Sequence, residues 1–349
     1  MHRETPLVSV VIPAHNAGRY VAQTIESVLA QQDANVEAIV VDDGSTDDTP
    51  EVLKRFGDRI RVVTQPNGGL GAARSAGMRL ALGVYLGWLD ADDLCHPRRI
   101  AVQAAILDAR PEIDVVSSDF SAFDEAGVVS ASYAAEYYSA IRTREGLRGL
   151  FPEEQRFDGH GVPWLSRPFD EAYRLYSGDI RDTLVWANFV HPPTLMMRRT
   201  VFERHGNLDD RYGTTVDWEY LIRVSASSRF AYVEAPLLRY RLHASQMSGS
   251  KNTRRNARDI LDLVKAEMVR RPELATRYPR KTRRLLARSH LRMAEAYAEV
   301  EKGRALRSLA RSFLLNPLDR RLPRGFARLL APRRLVAAMR QWKRGGSAG

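Results

Sequence analysis

Apolar and polar positions alternate in two rhythms along the first 120 residues. Leu7-Val8-Ser9-Val10-Val11-Ile12-Pro13 is a short apolar run of the kind that forms a buried strand. After the turn Ala14-His15-Asn16-Ala17-Gly18, Val21, Ile25, Val28 and Leu29 recur at helical spacing across residues 19–31. The alternation then repeats. Residues 36–41 read as a second strand, followed by a helix through Lys54 that Thr46 or Asp47 can cap. Residues 60–64 read as a third strand, followed by a Gly-rich turn at 67–71 and a helix through Ala81. Residues 84–89 form a fourth apolar run, a helix is expected over 100–110, and 114–118 read as another strand. Four strand–helix units in succession predict an α/β fold with a doubly wound, mainly parallel sheet.

Such a sheet collects the C-terminal ends of its strands along one edge, where open α/β folds bind ligands. The polar turns at 13–16, 42–45 and 90–93 are therefore expected to converge. The last is the most acidic, Asp90-Ala91-Asp92-Asp93 directly after an apolar run. On an extended backbone Asp90 and Asp92 would point the same way. Two convergent carboxylates suit a hard divalent cation, Mn²⁺ or Mg²⁺, that keeps positions open for substrate phosphates. The competing reading makes Asp93 an acidic cap for a helix beginning near Pro97-Arg98-Arg99. Asn67-Gly68-Gly69-Leu70-Gly71 lacks the G-x-G-x-x-G spacing of a dinucleotide fingerprint, and no phosphate-binding G-x-x-x-x-G-K-[ST] occurs.

Four stretches in this order and spacing resemble a family 2 glycosyltransferase of the GT-A fold. They are Val10-Val11-Ile12-Pro13-Ala14-His15-Asn16, Val40-Val41-Asp42-Asp43-Gly44-Ser45-Thr46-Asp47, Asn67-Gly68-Gly69 with Ala73-Arg74-Ser75-Ala76-Gly77, and Leu89-Asp90-Ala91-Asp92-Asp93. The resemblance covers about the first 120 residues and returns near 191–248. It implies that Asp42 or Asp43 binds the base of a nucleotide-sugar donor, with Pro13 and Asn16 lining that pocket and Arg74 meeting the nucleotide. It further implies that Asp90 and Asp92 form a D-x-D pair, holding the ribose and a divalent metal on the diphosphate. A nucleoside diphosphate leaves more readily once its developing charge is neutralised. Ser75 stands where the family has Asn.

Between residues 124 and 190 the pattern weakens and aromatics accumulate, among them Tyr133, Tyr137, Tyr138 and Trp164. Rings of this kind stack on sugars or fill an irregular subdomain's own core, so the region is a candidate acceptor site. His160 and His191 lack a nearby third ligand and read as structural or exposed. The family pattern resumes at Phe189-Val190-His191-Pro192-Pro193 and reaches Val216-Asp217-Trp218-Glu219-Tyr220, which resembles the family's second acidic motif. That resemblance implies that Asp217 is the base of an inverting transfer, with Glu219 as second choice. Val216 replaces the family's Glu. Arg241 and His243 lie in a segment resembling the end of the catalytic domain, where they could meet the diphosphate or metal.

Charge divides the chain. The net charge is +11. Residues 251–349 carry 27 Lys and Arg against 8 Asp and Glu, a net of +19, which leaves 26 against 34, a net of −8, for residues 1–250. A boundary near 248 is expected, with a catalytic domain over 1–248 and a basic helical extension over 249–349. In the extension Ile260, Leu261, Val264 and Met268 share a helical face, and residues 297–315 read as a helical hairpin around Gly303. Residues 320–344 interleave Arg with Leu, Phe and Trp, a pattern that fits an anionic membrane surface or a solvated helix packed on the domain. No recognised nucleic-acid motif occurs in this tail. The single Cys95 excludes a disulfide framework and fits a reducing compartment. No secretory leader or membrane-spanning run is expected. The expected protein is a cytoplasmic, inner-face glycosyltransferase acting on a glycan or lipid-linked acceptor in cell-surface polysaccharide synthesis. Its rivals are a metal-dependent nucleotidyltransferase and a non-catalytic membrane- or nucleic-acid-binding protein.

Overall fold

The computed structural model describes residues 7–165, 167–244, 246, 253–323 and 325–326. They fall into two compact units. The first comprises the chain to Arg211 together with Val216–Ala244, the second Tyr212–Thr215 and the chain from Ser245. The expected boundary at 248 and the stretch beyond Phe326 lie outside the described residues.

The first unit opens with β1 (Leu7–Ala14), α1 (Val21–Leu29), β2 (Asn35–Asp43), α2 (Thr49–Lys54), β3 (Arg61–Gln65), α3 (Leu70–Leu80) and β4 (Tyr85–Trp88). It continues through β5 (Leu94–Cys95), α4 (Arg99–Ala109), β6 (Val115–Asp124), β7 (Gly127–Ser130), α5 (Ala134–Tyr137), β8 (Glu153–Phe157), β9 (Tyr173–Gly178) and α6 (Arg181–Trp186). β10 (Met196–Arg198), α7 (Arg199–His205), α8 (Val216–Val224) and β11 (Phe230–Arg241) complete it. The sheet order is β3-β2-β1-β4-β10-β6-β11-β9-β8. β3, β2, β1 and β4 run parallel, as do β6 and β11. β10 enters antiparallel between β4 and β6, and β9 and β8 extend the far edge antiparallel. The sheet is thus mixed and mostly parallel, with helices flanking it. β1 is buried along nearly its whole length, as a strand covered on both faces must be.

Several expected elements are longer or placed differently. β6 runs on to Asp124 and β11 to Arg241, because each pairs with the other along nearly its full length. The aromatic region supplies β7, β8 and β9 rather than forming a separate subdomain, and Phe157 and Phe169 are buried in the main core. Asp93 does not cap a helix, since β5 intervenes before α4. Asp47 accepts from Thr49 N at 3.0 Å, just ahead of α2. α3 lies close on both the sheet and α8 because its glycines leave room. A Cβ at Gly77 would stand 2.4 Å from Val11 Cγ1, and one at Gly71 would stand 2.7 Å from Val216 Cγ2.

The second unit contains α9 (Thr253–Arg270), α10 (Pro272–Arg277), α11 (Pro279–Tyr297) and α12 (Lys302–Leu315). The hairpin expected within residues 297–315 is not formed: residues 302–315 are the single helix α12, which pairs instead with α11 across a turn at residues 298–301. Gly303 lies inside α12. Leu291, Ala294, Ala305, Leu309 and Leu322 make the core of this pair, and Ser312 Oγ donates to Ala287 O at 2.9 Å. Among the described residues no helix is long and apolar enough to cross a membrane.

Candidate active site

Because β1, β2 and β4 are parallel neighbours, their C-terminal turns meet at one edge. Pro13 is buried near the end of β1, opposite Val41. Asn16 takes a left-handed φ of 51° and ties two loops together. Its N donates to Ser45 Oγ at 3.0 Å, and its Oδ1 accepts from Thr46 N at 2.8 Å. Asp42 is buried and accepts from Ser45 N at 3.0 Å. Asp43 accepts from Gly68 N, Gly69 N and Gln65 Nε2, each at 2.8 Å. Both of its oxygens are therefore committed to the Gly-rich turn that launches α3. Of the two acids expected at the nucleotide base, Asp43 acts here as a staple for that turn.

Arg74 sits at the centre of the edge. It is fully buried and lies over the Trp88 ring, 4.7 Å from the centroid. Its Nη2 donates to Asp90 Oδ1 at 2.6 Å, and its Nη1 donates to Asp217 Oδ1. One guanidinium thus joins the acid expected to hold the donor to the acid expected to act as base, 143 residues apart from Arg74 in sequence. Ser75, the departure from the family's Asn, accepts from Leu208 N at 3.0 Å and so anchors the turn after α7.

The expected convergence of Asp90 and Asp92 does not follow from strand geometry. β4 ends at Trp88 and the chain turns through Ala91 and Asp92. Asp90 faces Arg74, whereas Asp92 Oδ2 lies 2.9 Å from His243 Nε2. Asp93 is fully buried and accepts from Arg241 N at 2.9 Å. Arg241 also donates from Nε to Asp92 O at 2.8 Å and stacks over Tyr20 and Phe123. This brings the tail of β11 onto the acidic turn. Burial, together with Asp92 and Asp217, pushes the Asp90 carboxyl up to about 6 against the opposing pull of Arg74. Burial and the neighbouring Asp92 and Asp90 raise Asp93 well above the usual carboxylate range. Burial is the largest cause in both, so both carboxyls give up their protons less readily than a free one.

Among the described residues no three His, Cys, Asp or Glu side chains come together as a ready-made metal cluster. The donor set nonetheless fits a partly open cation site. Asp92 and His243 present one carboxylate and one imidazole side by side, ligand types that a divalent ion takes.

Asp217 lies in the first turn of α8, where the helix dipole favours a carboxylate. Glu219 is two residues on, about 200° around the helix. It is buried and paired with Arg223, so it faces a different neighbourhood from Asp217. Val216 is buried where the family carries Glu.

The aromatics expected between residues 124 and 190 gather with Phe120 and His191, two members the sequence reading did not connect to them. His191 stacks on Phe120 at 4.1 Å, and its Nδ1 lies 3.0 Å from Tyr138 Oη. Burial, with Arg74 and Arg99 nearby, lowers the imidazole to about 3. Tyr138 is raised well above the usual phenol range by burial first, then by Tyr137, Tyr240 and Asp217. His191 is structural as expected, but it is buried near Arg74 rather than exposed. Its position directly before Pro192-Pro193 was the only signal in the sequence.

The sequence model of glycosyl transferase family 2 matches residues 9–206, more than half of the chain. The chain belongs to glycosyltransferase family 2. An uncharacterized glycosyltransferase of Rickettsia prowazekii (strain Madrid E) is 28% identical to this glycosyltransferase over 246 residues, covering 70% of this chain and 67% of the relative. A related protein of Rickettsia felis is 26% identical over 274 residues, and there the match spans only 40% of the relative. Chondroitin synthase of Escherichia coli is 34% identical over 143 residues, which are 39% of this chain and 21% of the synthase. Two solved structures share the fold. TarS 1–349 of S. aureus in complex with UDP-GlcNAc has a TM-score of 0.53 at 14% identity, covering 88% of each chain. The mannosyltransferase PcManGT from Pyrobaculum calidifontis, in complex with GDP-Man and Mn²⁺, has a TM-score of 0.52 at 16% identity, covering 97% of this chain and 80% of that one.

Proposed function

We propose that this glycosyltransferase moves a sugar from a nucleoside diphosphate donor to a hydroxyl of a glycan or lipid-linked acceptor, with inversion, in cell-surface polysaccharide synthesis at the cytoplasmic membrane face. The observation that carries this reading is the pair of salt bridges by which Arg74 holds both Asp90 and Asp217. It sets a donor-side acid and a base-side acid within the reach of one guanidinium. Relatives named for polysaccharide synthesis and fold neighbours solved with UDP-GlcNAc or GDP-Man support the substrate class.

In this reading Asp42, Asn16 and Pro13 border the nucleotide base, and Asp90 meets the ribose. Asp92 and His243 would hold a Mn²⁺ or Mg²⁺ ion, which supplies charge neutralisation to the departing diphosphate. The acceptor oxygen attacks the anomeric carbon as the bond from that carbon to the diphosphate oxygen breaks. The nucleoside diphosphate leaves with the bonding pair, and the acceptor's proton passes to the Asp217 carboxylate. Arg74 orients Asp217 and Asp90 for these two roles. Tyr137, beside His191, and its neighbour Tyr133 offer ring faces to an acceptor sugar.

The test is a thermal-shift titration with UDP, GDP and dTDP, each with and without Mn²⁺. The expected result is a metal-dependent rise with one nucleotide, lost in Asp92→Ala. Asp217→Asn should keep the rise while losing transfer by a factor of about 10² to 10⁴. No rise with any nucleotide would sink the donor reading.

A further inference from the structure

α12 has two apolar faces, and among the described residues only one of them is buried inside the second unit. Ala305, Ser308, Leu309 and Ser312 are buried. Leu306, Ala310, Phe313 and Leu314 recur at i, i+4, i+7 and i+8 and stay open to solvent. Leu306 is 50% exposed, Phe313 47% and Leu314 79%, and Leu318 just beyond the helix is 89% exposed. Exposed apolar side chains at a helical period form a patch, which marks an interaction surface more strongly than scattered ones do. The fourteen residues of α12 also carry Lys302, Arg304, Arg307 and Arg311 and no acid.

Two adjoining clefts lie at the C-terminal end of this stripe. One, of about 390 Å³, is walled mainly by Phe313, Pro317, Leu318, Leu322, Pro323 and Phe326. The other, of about 360 Å³, is walled by Arg284, Arg288, Arg320 and Arg321 with Asn316. Leu318, Asp319 and Arg320 belong to both walls. Among the described residues lining the clefts Asp319 is the one acid, and Arg321 already engages it through two bonds at 3.0 and 2.8 Å. Those bonds, and Arg288 behind them, hold the Asp319 carboxyl down to about 2. Four guanidiniums therefore face one carboxylate, next to an apolar cleft.

We propose that this face of the second unit docks on an anionic phospholipid bilayer. A headgroup phosphate enters the arginine cleft, and Phe313, Leu314, Leu318 and Phe326 enter the acyl boundary. Anionic headgroups above hydrocarbon are the surface that matches cations beside a continuous apolar stripe. A nucleic acid would match the arginines but would leave the stripe in water. The sequence after Phe326 has the same character, with six Lys and Arg and no acid in residues 327–344. The proposal rests on the membrane-face part of the reading above and gives that part a location.

The experiment is co-sedimentation of the full chain with vesicles of phosphatidylcholine alone and of phosphatidylcholine mixed with phosphatidylglycerol. Binding to the mixed vesicles, weakened by salt, is expected, with little binding to the neutral ones. Arg284→Glu with Arg288→Glu should weaken that binding at least tenfold, since each surface cation is worth about fivefold near such a membrane. Leu314→Asp with Leu318→Asp should weaken it similarly. Both double variants alter exposed positions, so both should keep the melting temperature and the nucleotide-induced shift of the parent. Loss of the nucleotide shift in the parent would instead count against the donor reading, whatever the vesicles do. Equal binding to both vesicle types, or no binding, would overturn the docking site. So would vesicle binding that survives both double variants, which would assign membrane contact elsewhere in the chain. Inorganic phosphate binding without vesicle binding, or a dimer in light scattering that Leu314→Asp dissolves, would also overturn it.

Discussion

In the first unit Arg74 and Arg99 are fully buried, whereas in the second Arg284, Arg288 and Arg320 line an open cleft. Arg74 is matched by two carboxylates and a tryptophan face. Arg99 donates from Nη2 to Trp88 O at 2.8 Å and Leu195 O at 3.1 Å, and from Nε to Gln103 Oε1 at 3.1 Å. Arg99 has partners on all three nitrogens, whereas Arg74 offsets a buried, unpartnered Nε with its two carboxylates. Each of these therefore over-determines the backbone or acid it holds. Arg284, Arg288 and Arg320 are exposed and belong to no core. The same side chain fixes geometry when dry and supplies charge when wet.

The strongest way to break that contrast is Arg74→Met. It leaves Asp90 and Asp217 without their shared cation, and a loss of about 3 kcal/mol in urea unfolding is expected. A neutral result would mean that the guanidinium shapes nothing. Arg74→Lys should recover part of the loss, because an ammonium keeps the charge but not the fork that spans two acids. Arg99→Met comes next, at about 2 kcal/mol, for the carbonyls of Trp88 and Leu195 that it strips of a donor.

A pH effect sharpens the picture of the dry interior. His191 is held down at about 3, below its ordinary 6.5. Between those values the unfolded chain binds a proton that the folded chain refuses. His191 therefore withdraws stability as pH falls below 6.5, by about 1.4 kcal/mol per unit, and withdraws none above it. His191→Phe should remove that slope, so melts from about pH 7 to about pH 4 should show the variant gaining on the parent toward acid. Parallel melting curves would mean that the imidazole reaches solvent. The smallest effect belongs to the second unit. Arg284→Gln and Arg288→Gln should each move stability by less than about 0.5 kcal/mol, because neither is part of a core.

The early strands were legible because their apolar runs are continuous and their turns are polar. β1, β2 and β4 fall within a few residues of their expected places, and the expected edge is real. β10 was harder to read. It is three residues long, and only pairing to β4 and β6 decides its direction. The D-x-D spacing identified the acidic turn but misjudged its geometry. The period-two argument needs an extended backbone, and the strand ends at Trp88. Asp43 read as a ligand for the same reason that it makes a good staple: a short carboxylate before a Gly-rich turn suits either role. The hairpin turn in the tail was placed at Gly303 because glycine signals breaks, yet helix propensity around it carried α12 through.

By itself the sequence determined the family, the parallel start of the sheet and the set of acids at its edge. These follow from local pattern, which needs no knowledge of distant contacts. Only the tertiary structure decided which acids face each other. Arg74 reaches Asp217 across 143 positions, and His243 reaches Asp92 across 151. Such pairings are set by how α3, α8 and the end of β11 pack around the edge, through close approaches like that of Gly71 to Val216. Partner choice over that separation depends on the packing of the whole core.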